Sequence, residues 1–181
     1  MEKMVHWKRL AAPMLACVAL AACGDSTQVA QPRDPGDVQA SAPGKATCVA
    51  TTAAQNAAGA RATNAARTRS GLAPVRSNML LADVAAQHAC DMAKRGVMTH
   101  RGSKTSGPGP RVKARGYAPR LTAENIAAGP FDLPRVLSEW NASQGHLDNI
   151  NIPQVRDYGI GQAIGSDGRT RYWSAIYAAP K

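Results

Sequence analysis

The sequence predicts a small α+β domain, on three observations. Apolar residues recur at helical spacing between residues 50 and 96, and two strand-like runs, Tyr158 to Ile164 and Thr170 to Tyr177, flank Gly165-Ser166-Asp167-Gly168. The seven aromatics beyond residue 22 all lie after Gly116, so the late elements supply the bulky part of the core. At 181 residues and 19.0 kDa the chain holds one modest domain with tails, not a multidomain enzyme. Its 44% apolar and 19% charged residues, with 16 Gly and 12 Pro, exclude a disordered or low-complexity chain.

The elements begin with an export signal. Lys3, Lys8 and Arg9 precede an apolar run from Leu10 to Ala22, too short to span a bilayer as a mature helix and the length of a signal-peptide core. The run closes on Leu20-Ala21-Ala22-Cys23, which resembles the bacterial lipobox. On that reading residues 1–22 are a lipoprotein signal peptide, and Cys23 carries lipid that anchors without spanning. An ordinary cleavable signal peptide or an N-terminal apolar helix is the plainer alternative. Gly24 stands where enteric bacteria place an Asp to retain lipoproteins in the inner membrane, so the expected location is the cell envelope, on the periplasmic side of the outer membrane. Beyond residue 22 there remain 19 basic and 11 acidic residues, a formal +8, which favours anionic surroundings.

Residues 23–47, rich in Gln, Ser, Pro and Gly, read as the lipidated Cys and a flexible tether, with the domain over 48–181. Cys48 and Cys90 remain once Cys17 leaves with the signal and Cys23 takes lipid. An exported compartment permits a bridge between them, and closing a loop of 42 residues adds about 4 kcal/mol on the chain-entropy estimate. Two separate buried thiols are the alternative.

A weakly apolar helix is expected from Ala50 to about Ser70, ending at Gly71. In the next helix, capped by Ser77 or Asn78 and stopped at Gly96, Leu81, Val84, Ala85, His88, Ala89 and Met92 form one buried stripe. Residues 101–120 hold seven Gly or Pro and read as loop with one turn near Arg111 to Arg115. Glu124 opens a strand. Asp132 and Pro134 start a short helix from Leu133 to Asn141, and His146 follows it. The Asp-Gly step at 167–168 then turns a hairpin.

The candidate chemistry rests on His100, Glu124 and His146, which three separate elements could bring together. Ser143, three residues before His146, reads as a hydroxyl at a helix end, since no strand-turn-helix elbow surrounds it. His88 reads as a packed core histidine, Asn125 and Asn149 as braces to backbone, and Arg67 as a fork holding the first helix.

Asn64-x-x-Arg67-x-x-x-Gly71, Thr99-His100-x-Gly102, Glu124-Asn125-Ile126, Trp140-x-x-Ser143-x-Gly145-His146-x-x-Asn149, Gly159-Ile160-Gly161 and Tyr172-Trp173 follow one another over residues 59–179. This succession resembles the CAP superfamily, also called SCP/TAPS, of cysteine-rich secretory, antigen 5 and pathogenesis-related 1 proteins. The resemblance implies an α-β-α sandwich around a central three-stranded antiparallel sheet, with a cleft carrying two His and two Glu. His100 and His146 match the two His and Glu124 the first Glu. The second Glu falls on Ser143, a form common in bacterial members, while Glu139 points elsewhere around the helix.

In some members the His pair binds a divalent metal, so His100 and His146 are the metal candidates. Two imidazoles and a carboxylate also match a three-ligand zinc set with an open position. A carboxylate beside a His is equally a hydrogen-bond partner behind a ligand. From Lys94 to Arg120 there are eight Lys or Arg and no acid, a basic run bracketing His100; few aromatics interleave it, which argues against nucleic acid. Two functions follow. The favoured one is a non-catalytic binding module whose cleft, formed by His100, Glu124, Ser143 and His146, takes a lipid, an anionic envelope component or a protein. The alternative is a metal-dependent, peptidase-like hydrolase in the same cleft.

Overall fold

The computed structural model describes residues 36–181; the expected signal peptide and Cys23 lie outside them. Three long antiparallel strands form the centre: β5 (Pro119–Gly129), β6 (Asp157–Ile164) and β7 (Arg171–Pro180), with β7 between the others. Two-residue strands extend the expected three-stranded sheet to five. β2 (Thr47–Cys48) pairs antiparallel and β3 (Arg76–Ser77) parallel to the free side of β6. A separate two-residue pair joins β1 (Val38–Gln39) to β4 (Val97–Met98).

Helices cover both faces, as the α-β-α expectation requires. Because side chains alternate along a strand, Tyr172, Ile176 and Ala178 of β7 face α2 (Met79–Arg95) and α3 (Pro108–Lys113). Trp173, Ala175 and Tyr177 face α1 (Ala53–Arg69), α4 (Leu133–Ala142) and α5 (Gln144–Ile150). α1 starts at a capping box between Thr52 and Gln55. Asn78 caps α2, and Gly96, at φ 69°, ends it in the left-handed conformation that L side chains rarely adopt.

α2 can lie close on β6 because Gly159 and Gly161 lack side chains. A Cβ at either would run into the backbone of Leu81 and Ala82 or of Ala86. The apolar stripe of α2 from Leu81 to Met92 is wholly buried there. On the opposite face the Arg67 guanidinium, fully buried, donates from Nε to the Ala73 oxygen at 2.7 Å and from Nη1 to the Ile150 and Ile152 oxygens at 2.7 and 2.9 Å.

Two expectations need correction. The tether read over 23–47 is hydrogen-bonded to the domain from β1 onward: the Ala40 and Gly44 amides donate to the Gly96 and Lys94 oxygens at the end of α2, each at 2.9 Å. Glu124 does not open its strand but sits in the middle of β5. His146 follows α4 as expected, and lies inside a further short helix, α5. The Cys48–Cys90 disulfide is present and ties β2 to α2.

Candidate active site

Glu124 is the hub of the site. Strand alternation turns its side chain toward the α2 and α3 layer, where it is 4% exposed. Its Oε1 accepts from Arg111 Nη2 of α3 at 2.5 Å and from the Ser174 hydroxyl of β7 at 2.9 Å. Its Oε2 accepts from His100 Nδ1 at 3.0 Å and lies 3.8 Å from Nε2 of His88, on α2. Burial pushes the carboxyl up, but the His100 hydrogen bond, the adjacent His88 and the Arg111 guanidinium outweigh it and hold Glu124 below the ordinary carboxylate range. The carboxylate is therefore ionised at neutral pH, and His100 must donate to it.

His100 is placed by the end of β4 and by Arg111, whose Nη1 donates to the His100 backbone oxygen at 2.9 Å. One guanidinium so fixes both members of the His100–Glu124 pair. The imidazole side chain is 56% exposed, which leaves it open to a ligand while its Nδ1 is committed inward. His88 is the opposite case. It is 1% exposed, and Nε2 meets the Thr99 oxygen at 2.9 Å; burial lowers its pKa to about 4, so the ring is neutral. Since a carbonyl can only accept, the single proton resides on Nε2.

His146 approaches from the other face of β5. Asn125, next to Glu124 but pointing the opposite way, donates to the His146 backbone oxygen at 3.2 Å. Asn149 of α5 donates to the Glu124 oxygen at 3.2 Å and to Asn125 Oδ1 at 2.9 Å, so α5 is laced to the strand. The His146 ring lies 6.2 Å from that of Trp140, and burial, with the neighbouring His100, lowers its pKa against an opposing pull from the Ile126 backbone. Its Nδ1 is buried without a hydrogen-bond partner. Ser143, half-buried, joins α4 to α5, and its hydroxyl caps neither helix. Glu139 faces away, bonded to Arg135 at 2.6 Å.

The structure thus brings His100 and Glu124 into contact, places His146 on α5 near enough for His100 to lower its pKa, and leaves Ser143 without a bond to any of the three. Two participants, Arg111 and Ser174, carried no signal of their own in the sequence: one sits in a Gly/Pro-rich stretch, the other is a small polar residue in an apolar strand. The run of eight cations without an acid was the nearest pointer to Arg111.

The Glu124 carboxylate is bonded within the protein rather than open as a third ligand beside His100 and His146. Both Glu124 oxygens are engaged by Arg111, Ser174 and His100. Among the described residues no group of three His, Cys, Asp or Glu is placed to hold a metal ion.

A family model described as the cysteine-rich secretory protein family, CAP, matches residues 60–177. Among curated proteins, the uncharacterized protein YkwD of Bacillus subtilis (strain 168) is 30% identical over 99 residues, 55% of this chain and 38% of the relative. Among solved structures, an extracellular protein containing a SCP domain from Bacillus anthracis aligns with TM-score 0.60 and 25% identity, over 70% of this chain and 40% of that one. An outer surface protein from Borrelia burgdorferi aligns with TM-score 0.63 and 19% identity, over 76% and 99% of the two chains, a likeness of fold. The chain spans 38% of the length of the curated relative it matches.

Proposed function

The chain belongs to the cysteine-rich secretory protein (CAP) family, and we propose that it is an extracytoplasmic binding protein whose site is the exposed face of His100 with His146 beside it. The observation that carries this reading is the state of Glu124. Both oxygens of this carboxylate are bonded, one by a guanidinium and a hydroxyl and the other by the His100 N–H, so it acts on the His100 ring rather than directly on a substrate. It fixes that ring and presents its other edge to a partner. The disulfide and the extracellular and outer-surface descriptions of two structural relatives support placement in the envelope or outside the cell. Lipid on Cys23 belongs to the same proposal.

The partner chemistry we infer is anionic. Arg101, Lys104, Lys113, Arg115 and Arg120 are all exposed around the segment that carries His100. Polyphosphate is a suitable probe, added to the full chain in detergent micelles. Binding by calorimetry that weakens at least severalfold in His100→Ala, and weakens with added salt, is the expected result. Zinc-dependent cleavage of casein that disappears in both His100→Ala and His146→Ala would replace binding with hydrolysis. Metabolic labelling with palmitate, lost in Cys23→Ser, tests the anchor.

A further inference from the structure

The Cys48–Cys90 bond borders an open cavity of about 400 Å³ over the solvent side of α2. Asp83, Gln87 and Lys94, all exposed along the helix, line it together with Val49 and Ala50, which follow β2. Both cysteines are part of this lining; Cys48 is exposed and Cys90 half-buried. None of His100, Glu124, Arg111 or His88 belongs to it, and the binding reading above does not use it. Bridges open to solvent in this way are the ones that exchange with thiols, whereas enclosed bridges are inert.

The bond closes off a segment that is otherwise held at the surface. From Val38 to Cys48 no residue is buried, and only Ala40, Ser41 and Ala46 are half-buried. Two-residue ladders tie its ends to β4 and β6. Between them the Ala40 and Ser41 amides donate to the Gly96 oxygen at 2.9 and 3.2 Å, the Ser41 and Tyr172 hydroxyls meet at 2.8 Å, and the Ser166 hydroxyl donates to the Ala42 oxygen at 2.8 Å. A stretch with so little buried apolar area opens at low free energy once its covalent clamp is gone. Past Cys48 the chain is anchored again at once: the Thr51 hydroxyl donates to the Ile160 oxygen at 2.8 Å, and the Thr52 capping box starts α1.

We propose that Cys48–Cys90 is a thiol–disulfide exchange site for a dithiol reductant, and that reducing it frees residues 38–48 while the central sheet stays folded. One thiolate of the dithiol attacks Sγ of Cys48, the more exposed partner, forming a mixed disulfide and expelling Cys90 as a thiolate. The second thiolate of the reductant then displaces Cys48. Two electrons pass to the protein, the two protons given up by the reductant end on Cys48 and Cys90, and the reductant leaves as its own disulfide. Release of β1 uncovers β4, whose Val97 and Met98 stand just before His100, so the exchange loosens the segment that carries that ring.

Dithiothreitol is the probe, added to the full chain in detergent micelles, with alkylation read by mass spectrometry at the Cys48 and Cys90 peptides. Reduction is expected to be first order in dithiothreitol and to change by less than about twofold when about 1 M urea is added, since the bond reacts in the folded protein. Amide exchange in the reduced protein should speed at least about tenfold over residues 38–48 and at Val97 and Met98, and stay slow in β5 and β7. Cys48→Ser with Cys90→Ser should reproduce that pattern without reductant. Should this variant fail to accumulate, the kinetics and exchange of the native chain decide alone. Reduction that climbs severalfold with the urea, protection kept over 38–48 after reduction, or exchange that speeds throughout the sheet overturns the proposal. None of these readings involves polyphosphate, so the exchange site stands or falls apart from the binding proposal.

Discussion

The two faces of β5 at Glu124 and Asn125 use opposite means to hold a helix and a histidine. On one, a buried carboxylate gathers a guanidinium, an imidazole and a hydroxyl; on the other, two amides bridge to backbone and to each other. Adjacent residues in one strand thus belong to a charged network and a neutral one. The first fixes its partners strongly only while each charge is matched, and it answers to pH. The second, whose ionisable member, the Tyr177 hydroxyl, is kept neutral by burial, tolerates partial loss.

Removing the guanidinium should break the contrast most sharply. Arg111→Met leaves Glu124 charged and buried, a loss of about 3–5 kcal/mol that urea unfolding would register. Replacing both, Arg111→Met with Glu124→Leu, should recover part of it. Acidification strains the same face. His88 has a folded pKa near 4 against 6.5 unfolded, so the unfolded chain takes up a proton first as pH falls from 6.5. Stability is full above that value and declines toward pH 4, by about 3 kcal/mol from this residue. The lowered Glu124 pKa adds a further decline below about 4.5, in the same direction. Denaturant midpoints across pH 4–7 should show this slope, and His88→Phe should flatten its upper part.

Asn125→Ala should cost less, about 1–3 kcal/mol, with no change in the pH slope. It should speed hydrogen exchange in α5 more than in α2, because Asn125 anchors the His146 carbonyl. Smallest of all, Glu139→Ala removes an exposed pair with Arg135 and should shift stability by less than about 0.5 kcal/mol.

What could be read beforehand follows from the range of the forces involved. α2 declares itself because six positions of one face repeat over three turns, and the 165–168 turn because Asp167 and Gly168 impose local geometry; Gly168 adopts φ 68° and Asp167 Oδ1 accepts the Arg169 and Thr170 amides. α4 is announced by Asp132, which accepts from the Arg135 amide at 2.9 Å. α5 gives no such notice: seven residues complete about two turns, and Ser143 makes no capping bond. Two-residue strands carry no alternation to detect, so the packing of residues 38–48 was hidden. Within the site, His100, Glu124 and His146 were legible through family resemblance, whereas Arg111 and Ser174 matter only through tertiary contact. Ser143, matched by position alone, shares no bond with them.

The way the chain enters the domain has a mechanical consequence. Tension applied from upstream of Val38 would load the two-residue β1–β4 ladder first, and a few backbone hydrogen bonds would yield one after another. Unzipping would then pass to Thr47, paired with Ile164 of β6, and halt at Cys48, covalently fixed to α2. The fold therefore carries a short extensible lead ending at a hard stop, and the His100 edge, two residues past β4, sits where the slack is taken up.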